Sequence, residues 1–121
     1  MVSGYGSGVD FRQVSVSQLA DQVSARDISA REVLDVALER IDALDGELGA
    51  FVALDPEAAR AEALALDERI ARGEDVGPLA GIPLAVKDLE DATGFVTSNG
   101  SAAFLDDPPA ERDSSLVERL R

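Results

Sequence analysis

The chain has 121 residues, 45% of them apolar, which is enough to form the core of one small domain but not of two. It contains no cysteine and no histidine, so disulfides, thiolate or imidazole metal sites and histidine-activated nucleophiles are excluded. Its 24 acidic and 11 basic residues give a formal charge of −13, which would repel phosphate backbones and argues against nucleic-acid partners.

The first predicted elements are a flexible tail over residues 1–14 and a short helix. Residues 1–8 are rich in glycine and serine and have no apolar periodicity, so they bury too little surface to offset the entropy of ordering. Ser15 and Gln18 have the spacing of a capping box ahead of an apolar run that begins at Leu19. We therefore predict a single domain over residues 15–121.

Two longer helices are predicted next. Ser29 and Glu32 repeat the capping box, and the apolar stripe that follows predicts a helix ending at Gly46. Asp55 as N-cap, with proline at the first helical position, predicts a third helix over residues 56–72.

Two apolar runs have the length of β-strands. Residues 50–54 lie between the second and third helices, and residues 82–86 are continuously apolar, as in a strand buried on both faces of a sheet. Near the carboxyl end, Asp113 or Ser114 caps a last helix over residues 116–121. The predicted fold class is therefore α/β, with N-terminal helices and the first strands of a mixed sheet.

Lys87 is the candidate catalytic residue. It is the single lysine among 11 basic residues, and it directly follows the apolar run at 82–86. The carboxyl ends of strands are where open α/β sheets place their active sites. From position alone, the alternative is a solvated lysine just past a strand end.

The segment over residues 77–88, GPLAGIPLAVKD, closely resembles the segment around the catalytic lysine of the amidase-signature family. The similarity continues upstream in residues 40–44 and 50–52, and downstream in residues 97–101 and 113–120. It covers nearly the whole chain after the tail. The resemblance implies the amidase-signature fold, of which this chain is expected to be an incomplete N-terminal part.

The resemblance also implies a chemistry. Members of the family hydrolyse carboxamide C–N bonds with a Ser, cis-Ser, Lys triad and without a metal or cofactor. A neutral lysine takes a proton through a bridging serine, and a second serine attacks the carbonyl carbon. Only Lys87 carries over to this chain, because both serines lie beyond position 121 in family members. The implied partners are a small-molecule amide substrate and the remainder of the amidase domain or a partner chain.

We expect the chain alone to be inactive. A lysine acts as a base near neutral pH only when burial lowers its pKa from about 10.4 to roughly 7 or 8. Four helices and two or three strands would not enclose Lys87 well enough. The remaining sequence would have to supply the pocket walls, the nucleophile and the oxyanion donors.

Two other functions stay open at this point. One is a truncated or split product that acts as a non-catalytic interaction module and exposes apolar surface to a partner. The other resembles the A-type component of the amidotransferase that amidates charged tRNA. In that component, the second residue after the lysine is usually asparagine, whereas this chain has Leu89, which favours a general amidase.

Weaker candidates have simpler interpretations. Ser98 and Ser101 are not in a Gly-x-Ser-x-Gly elbow, so we interpret them as loop serines bonded to backbone. The carboxylate pairs at 90–91 and 106–107 lack the spacing of a calcium loop, so we interpret them as solvated acids. No apolar run approaches the roughly 20 residues needed to span a bilayer, and no signal peptide is recognisable. We expect a cytoplasmic protein without a membrane partner.

Overall fold

The computed structural model describes residues 9–121, so residues 1–8 of the predicted tail lie outside the described residues. The described chain forms four α-helices and one 3₁₀ helix. Their bounds are α1 Val16–Ser24, α2 Ala30–Leu48, α3 Pro56–Ala71, the 3₁₀ helix Ala102–Phe104 and α4 Ser115–Leu120.

The chain divides into two compact units. The first unit comprises the described residues up to Ala50 together with Leu54–Pro83, and the second comprises Phe51–Ala53 and Leu84–Arg121. Helices α1 to α3 therefore belong to the first unit, and Lys87 and α4 belong to the second. The division into a tail and one domain stays a prediction.

Helix α1 begins as predicted. The side chain of Ser15 accepts a hydrogen bond from the Gln18 amide at 3.2 Å, and the Gln18 side chain accepts one from the Ser15 amide at 2.9 Å. Before this cap, Val9, Phe11 and Val14 are half-buried against the core of the first unit. The described part of the predicted tail thus contributes apolar surface to that core.

Helix α2 has the predicted start and a later end. Ser29 and Glu32 form the second capping box. The predicted end at Gly46 is wrong, because the helix continues to Leu48 and Gly49 adopts the left-handed conformation at its C-cap, with φ of 59°. A glycine inside a helix costs only about 1 kcal/mol relative to alanine, so the hydrogen bonds of the neighbouring turns are enough to continue the helix through Gly46.

Helix α3 begins at Pro56 after the predicted cap, where Asp55 accepts a hydrogen bond from the Ala58 amide at 3.0 Å. Helices α2 and α3 pack against each other. Five buried apolar side chains form the core cluster of this unit: Leu19, Val23, Ala30, Val33 and Ala63. The half-buried Ile82 packs against this cluster from the segment after α3.

The predicted strands are not formed. No residue from 9 to 121 is assigned to a β-strand, and residues 50–54 and 82–86 have no regular secondary structure. Leu84 is 49% exposed, which corrects the expectation of a run buried on both faces. A strand exists only through backbone pairing with a neighbour, so an apolar run of strand length needs a partner segment that an amphipathic helix does not need. The described fold is helical, and the predicted sheet is not confirmed.

The remaining elements agree with the sequence in outline. Ser114, one of the two predicted caps, is the N-cap of α4 and accepts a hydrogen bond from the Val117 amide at 3.4 Å. Within residues 9–121, no helix combines the length and apolar character needed to cross a membrane.

Candidate active site around Lys87

Lys87 lies at the start of an exposed turn of the second unit. Its side chain is solvent-exposed. Its carbonyl oxygen accepts hydrogen bonds from the amides of Leu89 at 2.7 Å and Glu90 at 3.0 Å. The backbone therefore folds back on itself immediately after the lysine. These two hydrogen bonds restrain the position of the Lys87 carbonyl group.

Asp88, the next residue, is bound by a second turn over residues 98–100. Its carboxylate accepts hydrogen bonds from the Ser98 amide at 2.6 Å, from the Ser98 hydroxyl, and from the Gly100 amide at 3.3 Å. Ser98 is 6% exposed, so its hydroxyl has lost its hydrogen bonds to water. The hydrogen bond to the Asp88 carboxylate replaces them. We call this arrangement the Asp88 clamp.

The backbone of residues 98–100 explains how its amides reach one carboxylate. Asn99 and Gly100 both have positive φ, at 52° and 69°, and the Ser101 amide donates to the Ser98 carbonyl at 2.9 Å. Asparagine and glycine are the residues that adopt this left-handed region at least cost. Successive amides in such a turn converge on a concavity that favours an anion.

The clamp changes the acidity of Asp88. The hydroxyl and then the amide of Ser98 lower its pKa, partial burial opposes them, and the Gly100 and Asn99 amides add to the lowering. The contacts therefore favour the ionised carboxylate over the protonated acid. A charged acceptor makes each of these hydrogen bonds stronger than a neutral one would be.

Other acids after the lysine are also bound within the unit. Asp91 accepts from the Thr97 hydroxyl at 2.6 Å, and Glu90 accepts from the Ser114 hydroxyl at 2.6 Å. Asp91 is exposed, which agrees with the interpretation of this pair as solvated acids, whereas Glu90 is half-buried and departs from it because the Ser114 hydroxyl binds its carboxylate. In residues 9–121, no group of acidic side chains is arranged to hold a metal ion.

A similar arrangement holds the start of α4. Asp113 accepts from both the Thr93 amide, at 2.7 Å, and the Thr93 hydroxyl, at 3.0 Å, and it forms an ion pair with Arg121 at 2.7 Å. The Thr93 amide is the largest cause of the lowered pKa of Asp113. This second clamp repeats the chemistry of the first without involving the residue next to Lys87.

The two loop serines after Lys87 have different roles. Ser101 bonds to backbone as expected, since its hydroxyl accepts from the Ala103 amide at 3.3 Å. The Ser98 hydroxyl instead donates to a carboxylate, and that contact spans 10 residues of sequence. The Asn-Gly pair at 99–100 signals a turn, but no local rule says which acid the turn will bind.

Comparison with known sequences identifies a family. A family model described as Amidase matches residues 32–121. AtzE, the 1-carboxybiuret hydrolase subunit of Pseudomonas sp. (strain ADP), is 45% identical over 104 residues, which are 86% of this chain and 23% of that protein. The A-type component of the glutamyl-tRNA(Gln) amidotransferase of Cutibacterium acnes is 40% identical over 108 residues, covering 89% of this chain and 21% of that protein.

Solved structures give the same result. A vestigial protein complex that reveals the origins of an s-triazine catabolic enzyme matches with a TM-score of 0.84 and 44% identity, over 88% of this chain and 23% of that chain. A bacterial aryl acylamidase of the amidase-signature family matches with a TM-score of 0.74 and 34% identity, over 80% and 20%. The chain thus spans between a fifth and a quarter of the length of these relatives.

Proposed function

The chain belongs to the amidase-signature family, and on this premise we propose that it supplies Lys87 as the base of an enzyme that hydrolyses carboxamide C–N bonds. The observation that carries the proposal is the place of Lys87 in the GPLAGIPLAVKD segment, inside the range that the family model matches. The turn that holds the Lys87 carbonyl supports it, because a base has to start from a defined position.

In the proposed reaction, neutral Lys87 accepts a proton at Nζ from a bridging serine, which takes the proton of the nucleophilic serine. The nucleophile attacks the amide carbon, the C–N bond breaks as the nitrogen is protonated, and water then hydrolyses the acyl-enzyme. We assign neither serine to a residue of this chain. The side chain of Lys87 is exposed within these 121 residues, so the proposal requires further sequence to enclose it.

The test is amide hydrolysis by the full product of the gene that encodes this chain. Small carboxamides, anilides and glutamine would be compared, with ammonia or amine release as the readout. Lys87→Ala is expected to lower kcat by about 10²- to 10⁴-fold, as for loss of a general base. Arg112→Ala, at another exposed cation of the same unit, is the control and should retain wild-type activity. Wild-type turnover by Lys87→Ala would refute the assignment.

A role in a tRNA-dependent amidotransferase is the second candidate function. Several relatives at 40% to 42% identity are A-type components of glutamyl-tRNA(Gln) amidotransferases. Leu89, which is exposed, favours the general amidase, since the family resemblance implies asparagine at this position in the amidotransferase. Glutamine hydrolysis that depends on charged tRNA would favour the amidotransferase, whereas turnover of simple carboxamides without tRNA would favour the amidase.

A partner chain is part of both candidates. Two of the relatives are named as subunits, and the full-length activity therefore need not reside in one chain. The alternative is a non-catalytic module. It would be favoured if the full gene product, together with its co-purifying partners, failed to hydrolyse any of the amides tested. Light scattering of the purified protein would give the number of chains in the complex.

A further inference from the structure

Asp88 links the candidate base to the turn over residues 98–100, in which Ser98 is buried. It is one peptide bond from Lys87, and its carboxylate receives the Ser98 amide, the Ser98 hydroxyl and the Gly100 amide. We infer that Asp88 is a positioning residue for Lys87, which holds the lysine backbone so that Nζ reaches the proton it must accept. This inference rests on the proposed function, because it assigns a role to Asp88 only through Lys87.

Two sets of contacts restrain the peptide between Lys87 and Asp88. On the lysine side, the amides of Leu89 and Glu90 bind its carbonyl oxygen at 2.7 and 3.0 Å. On the aspartate side, the clamp fixes the carboxylate and with it the Asp88 side-chain torsions. Because both sides are held, the clamp restrains the peptide from which the Lys87 side chain extends.

This restraint matters more for lysine than for a shorter base. The lysine side chain has four carbons and roughly 2 kcal/mol of rotamer entropy, so its own geometry does little to place Nζ. A misplacement of about 1 Å at a reacting group can cost about 100-fold in rate. Restraint of the Lys87 backbone therefore removes one of the main sources of error in the position of Nζ.

Several features of the Asp88 clamp favour a rigid arrangement. Ser98 is buried, and the positive φ angles of Asn99 and Gly100 aim the amides at the carboxylate. The same hydrogen bonds lower the pKa of Asp88, which means that they bind its ionised form more strongly than its protonated form. Loss of that charge leaves the buried Ser98 hydroxyl and amide with a weaker partner.

The same unit contains a matched control. Asp113 accepts both the amide and the hydroxyl of Thr93, as Asp88 does from Ser98, but it holds the start of α4 instead of the residue next to Lys87. Asp88→Asn and Asp113→Asn make the same chemical change at two carboxylates that each accept an amide and a hydroxyl of one residue, although Asp113 also pairs with Arg121 and Asp88 also accepts from the Gly100 amide. A purely structural role would make the two variants behave alike.

The experiment measures kcat, KM and melting temperature of the full gene product. Asp88→Asn is expected to lower kcat by about 10- to 100-fold while KM changes by less than about threefold, since ground-state binding is not altered. Asp113→Asn should keep kcat within about threefold of wild type at a comparable loss of melting temperature. Ser98→Thr, which retains the hydroxyl, should recover most of the activity that Ser98→Ala loses.

The outcomes separate this inference from the proposed function. If Lys87→Ala abolishes activity while Asp88→Asn and Asp113→Asn lower kcat equally, the positioning role is refuted and the base assignment stands. If Lys87→Ala is fully active, the proposed function fails and the inference fails with it. Should Asp88→Asn not fold, Ser98→Ala removes one donor of the clamp, and a kcat no lower than that of Asp113→Asn would refute the inference.

Discussion

Gly81 shows how single residues of the segment before Lys87 are dictated by packing. Its φ is +79°, and a Cβ built there would lie 2.7 Å from Cγ1 of Val23, whose side chain is 1% exposed. Any side chain at this position meets both a disfavoured backbone conformation and a closely packed neighbour. Gly77 has a similar φ of +81° but open space around the same position. A substitution at Gly77 therefore measures the cost of the backbone conformation alone, whereas the same substitution at Gly81 adds the cost of the contact with Val23.

We predict that Gly77→Ala lowers the free energy of unfolding by about 1–2 kcal/mol, because alanine is strained in the left-handed region. Gly81→Ala should cost about 1–3 kcal/mol more than that, since its methyl group overpacks against Val23. Urea unfolding followed by circular dichroism measures both. Equal losses for the two variants would show that Val23 gives way without cost.

At the scale of elements, the N-terminus of α2 combines a local and a tertiary cap. The Ser29 hydroxyl accepts the Glu32 amide at 3.0 Å, as the sequence predicts. The carboxylate of Asp67, which belongs to α3, accepts the Ala30 amide at 2.7 Å and the Arg31 amide at 3.2 Å. Asp67 thus satisfies amides that the helix leaves free and places a negative charge at the positive end of its dipole. The contact ties α3 to α2 through a polar group as well as through the core.

We predict that Asp67→Ala lowers the free energy of unfolding by about 1–3 kcal/mol, because the half-buried Ala30 amide loses its acceptor. Ser29→Ala should cost about 1 kcal/mol, the usual value of an N-cap. Glu68→Ala, at the exposed neighbouring position of α3, controls for the higher helix propensity of alanine. A loss in Asp67→Ala no greater than in Glu68→Ala would contradict a capping role.

At the scale of the whole chain, acidic groups dominate the electrostatics. The formal charge is −13, and the chain contains no histidine. Among residues 9–121, carboxyl groups with a pKa lowered through hydrogen bonds or ion pairs are those of Asp10, Glu32, Glu74, Asp88 and Asp113. Arg12 lowers the pKa of Asp10 to about 2, chiefly by a side-chain hydrogen bond. These contacts favour the folded chain only while the carboxyl groups are ionised.

We predict a stability plateau from about pH 5.5 to 8, where no side chain has its ordinary pKa, and a decline below about pH 4. The sign follows from the lowered pKa values: the unfolded chain takes up protons first, so stability falls as pH drops towards the folded pKa values. Relief of the net negative charge opposes the decline. At about 0.15 M salt, where the Debye length is about 8 Å, direct contacts should outweigh that diffuse repulsion.

Thermal melts between about pH 2 and 8 measure this dependence. Asp113→Asn should show a shallower decline in acid than the wild type, because one group with a lowered pKa has been removed. Identical slopes would mean that the contacts of Asp113 do not distinguish the folded from the unfolded chain.

Much of this protein follows from local sequence. The capping boxes at Ser15 and Ser29 and the Asp-Pro start at 55–56 predict helices α1 to α3, because a helix forms its hydrogen bonds within one segment. The segment around Lys87 likewise predicts the family, which comparison with known proteins confirms. The role of Lys87 itself stays a prediction.

Other features depend on groups far apart in the chain. The apolar runs at 50–54 and 82–86 have strand composition, yet strands require a paired neighbour, and none forms among residues 9–121. The cap from Asp67 and the Asp88 clamp join residues separated by 37 and 10 positions. Sequence alone therefore determined the helices and the family, because their signals are local or shared with relatives. Only the tertiary structure decided which carboxylate meets which amide, because those pairings depend on how separate segments pack.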